Sequence, residues 1–267
     1  MKRAAYLPST DAVSTITATI LLAYSLAHYI RLPQQAFTLQ FAGVVVPITL
    51  NITTLTGLLV SGLVMGGMET LLRAHPVQPK RGTFINWLLP FLSAWVLGVT
   101  LNLLQDSRFW WVGVAAGGVV LTLVCVAEYV VVWPENPLYR WAASGLSLVA
   151  FGLYLALGIA LHSAGIRLFW RVPALSAAAT LASLRILDLR VQGRLLRWEV
   201  YIGALISAQS VAALHYLNLT PARYGLLLLA PLYALLSWSV ARVEHAPRPW
   251  LEAIITAGLL VLLALVW

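Results

Sequence analysis

The feature that most constrains this chain is a repeated one: stretches of about 20 mostly apolar residues, the length a helix needs to cross a hydrocarbon core of about 30 Å. Nine such stretches can be drawn, over 11–30, 54–75, 84–105, 110–133, 138–162, 173–190, 198–217, 222–242 and 249–267. The links between them are short and broken by Pro or charge, so sequential helices are expected to form antiparallel hairpins. Composition excludes a soluble globular chain. Of 267 residues, 61% are hydrophobic and only 10% charged, with a mean hydropathy of +0.86, whereas soluble domains carry roughly 25% charge. The expected fold is all-α: a polytopic transmembrane helical bundle of about nine spans, forming a single transmembrane domain over 1–267.

One segment breaks the helical pattern. Residues 36–53, FTLQFAGVVVPITLNITT, are rich in Val, Ile and Thr and alternate in Phe37-Thr38-Leu39-Gln40-Phe41 and Ile48-Thr49-Leu50-Asn51-Ile52. This predicts a short extracytoplasmic β-hairpin, with Gly43 and Pro47 flanking its turn. The rival, a further short helix, is poorly served by a central proline and so many β-branched side chains.

The net charge of +8 raises the question of nucleic acid, but the basic residues sit at the ends of apolar segments and form no continuous stripe. They orient helices instead. With the N-terminus in the cytoplasm, that side holds Lys2, Arg3, Arg73, Lys80, Arg81, Arg140, Arg185, Arg190, Arg194, Arg197, Arg242 and Arg248; the other holds Arg31, Arg108, Arg167, Arg171 and Arg223. This imbalance predicts a multi-pass inner-membrane protein with its C-terminus, Trp267, outside. Tryptophans at span ends fit an interfacial belt. The start, MKRAAYLPSTD, is basic but lacks a small-residue cleavage site after its apolar run, so the first span is read as retained. The single cysteine, Cys125, leaves no disulfide pair and no thiolate metal cluster.

Charges inside the spans are the candidates for chemistry. At 100° per residue, Gly62, Gly66, Glu69 and Arg73 share a stripe, which predicts close approach of a neighbouring helix and a buried Glu69 paired with Arg73 or another cation. Glu128 shares a stripe with Gly113, Gly117 and Val124. Arg185 and Asp188 are three apart, and Glu199 opens the face Gly203, Ser207 and Ser210. Together Glu69, Arg73, Glu128, Arg185, Asp188 and Glu199 form a polar set at the cytoplasmic helix ends. It reads either as a substrate or proton site or as cross-helix ion pairs that staple a bundle. His28, His162 and His215 lie near the outer ends and raise a metal or haem ligand set, against the plainer reading of interfacial histidines bonded to loop backbone. No HxxxH or HExxH spacing supports a metal, and His75 reads as a helix C-terminal residue. Nucleophile elbow, Walker loop and dinucleotide fingerprint are all missing.

The acids Glu69, Glu128, Asp188 and Glu244 recur every 56 to 60 positions, each opposite a polar residue on its hairpin partner: His28, Asn102, His162 and His215. Four helix hairpins plus a ninth helix would produce this, whether by duplication or because short-looped hairpins repeat at that interval anyway.

LLRAHP (71–76), NWLLP (86–90), AEY (127–129), SLRIL (183–187), LHY (214–216) and GLLLLAPLY (225–233) resemble a family of bacterial multi-span membrane proteins that form a domain of unknown function. The resemblance implies a shared multi-helix fold and supplies no activity. Two functional readings follow. The first is a non-enzymatic scaffold or accessory protein that binds another membrane protein, lipid or pigment through helix faces. The second is a small-solute or proton-coupled transporter, or an intramembrane enzyme, working through the charged set.

Overall fold

The computed structural model describes residues 7–29, 35–41, 44–50, 52–75, 84–104, 107–191, 197–244 and 248–266. The helices are α1 (Thr10–Tyr29), α2 (Ile52–Arg73), α3 (Phe84–Leu103), α4 (Trp110–Val131), α5 (Tyr139–Ser163), α6 (Leu168–Val191), α7 (Arg197–His215), α8 (Pro221–Val243) and α9 (Pro249–Val266). Six of them, α1, α3, α4, α5, α6 and α8, are long and apolar enough to cross a membrane. Six of the nine expected spans are met in this way among the described residues. Helix α7 puts Glu199, Ser207, Gln209, Ser210 and His215 into 19 residues, and α9 offers only a shorter apolar run, Trp250–Val266.

The expected hairpin over 36–53 also changes. Two extended segments, β1 (Gln35–Phe41) and β2 (Val44–Leu50), pair antiparallel with Gln35 opposite Leu50 and Phe41 opposite Val44. Residues 52 and 53 already belong to α2, and Pro47 lies within β2 opposite Thr38 instead of beside a turn. A two-stranded ribbon has two open edges, where a proline's missing N–H is tolerated. The turn residue Gly43, the cations Lys2, Arg3, Arg31, Lys80, Arg81 and Arg194, and Trp267 lie outside the described residues.

Local signals place the helix ends. Thr220 caps α8 by accepting from the Arg223 amide, with Pro221 at the first helical position, where its missing N–H would be unsatisfied anyway. Helix α6 begins at Leu168, ahead of the expected Pro173, because the Arg167 carbonyl accepts from the amides of Trp170 and Arg171. Gly165, at φ +62°, makes the turn from α5 to α6.

Helix α3 packs against α2, α4, α5 and α6 and is therefore central. Its side chains divide between two apolar clusters. One gathers α1, α2 and part of α3 and α4 around Ile20, Val64, Met68, Leu72 and Leu121; the other runs from α3 to α8 around Leu92, Tyr154, Leu157, Leu175 and Leu232. Side-chain hydrogen bonds cross between helices: Tyr24 to the Ala94 carbonyl at 2.6 Å, Thr17 with Thr122 at 3.1 Å and Tyr154 with Ser207 at 2.6 Å. In a bilayer each such bond contributes about 0.6–2 kcal/mol.

The glycine stripe of α2 does not pack as expected. Gly62 and Gly66 are exposed, and a Cβ at either would meet nothing within 4 Å. The buried face of α2 is instead Val60, Val64, Met68 and Leu71, roughly opposite the stripe on the helical wheel. Close approach occurs elsewhere, for example where α5 crosses α8: a Cβ on Gly225 would come within 2.7 Å of Ile159 and 2.9 Å of Leu155. Gly225→Ala should therefore cost about 1–3 kcal/mol of stability by overpacking. Gly62→Ala should be neutral or slightly stabilising. Thermal unfolding in detergent checks the pair, and equal losses for both would contradict this assignment of faces.

Candidate functional site

Helices α4 and α6 each bring a charge inward near the same end of the bundle. Glu128 is fully buried and Arg185 is 2% exposed. Arg185 Nε donates to Glu128 Oε1 at 2.9 Å and Nη2 donates to Glu128 Oε2, so the guanidinium grips the carboxylate with two parallel bonds. Its remaining terminal nitrogen, Nη1, donates to Asp188 Oδ2 at 2.9 Å, one turn along α6. All three guanidinium nitrogens are engaged, and neither cavity described below is lined by any of the three residues. The triad joins α4 to α6 across the bundle, with Asp188 17% exposed at its edge.

The other members of the charged set stand apart. Arg73 Nε donates to Glu69 Oε1 at 2.7 Å, but Glu69 is only half-buried and the Arg73 side chain is 77% exposed. The expectation of a Glu69 buried by a helix seated on Gly62 and Gly66 is thus overturned, because that stripe faces away from the bundle. Glu199 sits half-buried in the first turn of α7, where the helix dipole favours an acid, and takes no part in the triad. Of the four recurrent acids, Glu128 is buried, Asp188 and Glu69 are part-buried and Glu244 is exposed, so their surroundings are not equivalent.

At the opposite end the structure joins two of the three histidines around a residue not singled out from sequence. Arg171, 4% exposed at the start of α6, donates through Nη1 to Nδ1 of His162 at 3.3 Å and Nδ1 of His215 at 3.4 Å, and through Nη2 to the Ile166 carbonyl at 2.9 Å. His162 Nε2 lies 3.0 Å from the Leu219 carbonyl, which can only accept, so that nitrogen carries the proton and Nδ1 is free to receive the arginine. His162 also stacks on Tyr224, with ring centroids 4.3 Å apart, and Arg171 lies over the same ring. His28 is elsewhere, stacked on Trp110 at 4.0 Å and lining a cavity of about 20 Å³, room for roughly one water. Among the described residues no group of three His, Cys, Asp or Glu is placed to hold a metal. His75, just past α2, is buried with its ring against Tyr129.

Among the described residues, a space able to receive a ligand lies on the other face of α6. A cleft of about 280 Å³ opens between α5, α6, α8 and α9, lined by Ser144, Ser147, Leu148, Phe151, Ile186, Arg190, Tyr233, Leu236, Ser237, Val240, Ala241, Glu244 and Glu252. At 100° per residue Ile186 and Arg190 point well away from Arg185 and Asp188, so the triad backs this wall without entering it. The sequence carried a faint signal for it, since Ser237, Val240, Ala241 and Glu244 follow i, i+3, i+4, i+7 spacing along α8. Which other helices complete the wall could not be read from one helix.

Residues 32–267 match a family described as protein of unknown function, DUF5656. The chain belongs to that family. No curated protein and no solved structure matches it. Membership of the DUF5656 family thus brings no activity, and the chemistry rests on the triad, the arginine–histidine cluster and the cleft.

Removing one partner of a buried ion pair leaves an uncompensated charge, a loss of about 3–5 kcal/mol. Glu128→Ala should therefore lower the unfolding temperature sharply, and Glu128→Met combined with Arg185→Met should recover much of that loss. Glu69→Ala breaks an i,i+4 pair whose arginine is largely exposed and should cost about 0.5 kcal/mol, far less than Glu128→Ala. Equal effects of Glu128→Ala and Glu69→Ala would contradict the assignment. In the second cluster, His162→Phe strips partners from Arg171 and from the Leu219 carbonyl, a loss of about 1–3 kcal/mol. His28→Phe keeps an aromatic ring on Trp110 and should change stability little; thermal scans of the two variants make the comparison.

Proposed function

We propose that this protein works by binding and not by catalysis: a multi-pass protein of the inner membrane, N-terminus in the cytoplasm and C-terminus outside, whose rigid bundle holds a membrane amphiphile in the cleft between α5, α6, α8 and α9. One observation carries the reading. Arg185 is held by Glu128 and Asp188 inside the bundle, whereas the cleft combines exposed ionic groups with an apolar wall. Ligand sites are typically concave and mostly apolar with a few polar groups that fix orientation. A transporter or enzyme acting through Glu128, Arg185 and Asp188 would first have to part α4 from α6 against bidentate bonds, so the sealed triad favours binding. The many exposed apolar side chains, among them Leu22, Leu59, Leu123, Ile254 and Leu262, suit a lipid-facing perimeter.

Protein purified from its membrane in mild detergent should carry a stoichiometric amphiphile, released on denaturation and detected by mass spectrometry. Preparations that carry none, and that move a solute across vesicles in a manner abolished by Glu128→Gln, would overturn the binding reading. Reporter fusions after Arg81 and after Trp267 should report opposite sides of the membrane; the same side would contradict the proposed orientation.

A further inference from the structure

We infer that the cleft selects a phospholipid whose head group carries both a phosphate and a primary ammonium. The inference rests on the binding reading above and goes further by naming the head group. Its basis is where charge falls along the cleft. Arg190 is the next-to-last residue of α6, Glu244 caps the end of α8 and Glu252 lies in the first turn of α9, so one guanidinium and two carboxylates meet at one end of the bundle. None of the three side chains forms an ion pair or hydrogen bond with another described residue. One cation beside two anions is complementary to a zwitterion. The guanidinium fork matches phosphate oxygens, and the N–H donors of a primary ammonium are enough for both carboxylates.

The rest of the cleft argues for a lipid over a small soluble zwitterion. From Glu244 to Tyr233, eleven residues along α8 at 1.5 Å each, the wall runs about 16 Å inward, close to one leaflet of a hydrocarbon core about 30 Å thick. Its deeper part is apolar: Leu148, Phe151, Leu236 and the Tyr233 ring, whose centroid lies 5.0 Å from that of Phe151. Leu148 is 74% exposed, so the cleft opens sideways, the direction from which a lipid would enter. A phosphatidylcholine head offers the same phosphate but no N–H for Glu244 and Glu252. A phosphatidylglycerol head offers no cation and sets its phosphate against two carboxylates.

The full-length protein, stripped of lipid in detergent, is titrated with phosphatidylethanolamine, phosphatidylcholine and phosphatidylglycerol of identical chains, and binding is read by native mass spectrometry. The expected result is about tenfold tighter binding of phosphatidylethanolamine than of either other lipid. Glu244→Gln with Glu252→Gln should remove the preference over phosphatidylcholine while binding persists, and Arg190→Gln should weaken both lipids. These residues are exposed, so the substitutions do not disturb the core. Ser237→Trp, which fills the cleft, separates the two claims. If it abolishes lipid binding but the three lipids bind equally in the wild type, the head-group inference fails and the binding reading stands. If it leaves binding untouched, both fail. Phosphoethanolamine alone should compete poorly, and competition equal to that of the lipid would reassign the site to a soluble zwitterion.

Discussion

A guanidinium inside a helical bundle must find all its partners within the protein, because neither lipid nor dry core supplies any. Arg185 meets that demand with Glu128 and Asp188 and in doing so ties α4 to α6. The tie matters because the apolar core is divided. Leu121 and Cys125 of α4 belong with α1 and α2, whereas Ile186 and Leu187 of α6 belong with α5, α7 and α8. The two clusters meet on α3 and α4, which place side chains in both, and the bidentate pair adds a directional tie from α4 to α6, one wall of the cleft.

The sequence made the charges visible and left their partners hidden. Glu128, Arg185 and Asp188 stand out because ionisable residues are rare in apolar spans, and the Arg185–Asp188 spacing already implies contact along one helix. That Glu128 completes the set depends on how α4 lies against its neighbours, which no single-helix periodicity encodes. The glycine stripes make the same point from both sides. Gly117 of α4 does face a neighbour, Leu97 of α3, as its stripe suggested, yet Gly62 and Gly66 of α2 face outward. Small residues permit close approach without requiring it, and the branched and sulfur-containing face of α2 at Val60, Val64 and Met68 had more surface to bury.

Arg171 shows a different limit. Read as one of the cations that orient spans, it is instead a buried hub for His162 and His215 at the ends of α5 and α7. The helix boundary decides this. With α6 starting at Leu168 and not at Pro173, Arg171 falls inside the first turns and is drawn into the bundle. The cleft was hardest to foresee, because its lining comes from four helices, and no short motif spans them. Helix content and membrane character were legible from hydropathy alone; the fold's functional surface was not.

The account turns on the triad being sealed, and the chain carries its own probe. Cys125 is fully buried, one turn before Glu128, and is the single cysteine of the sequence. Its reaction with a small water-soluble thiol reagent, followed by mass spectrometry on the wild-type protein and on Arg185→Met, reports whether water reaches that region. A sealed staple predicts a wild-type Cys125 that stays unlabelled over hours and labels much faster once Arg185 is replaced. Rapid labelling of the wild type, unchanged in the variant, would mean that the region is open to solvent and would contradict the account.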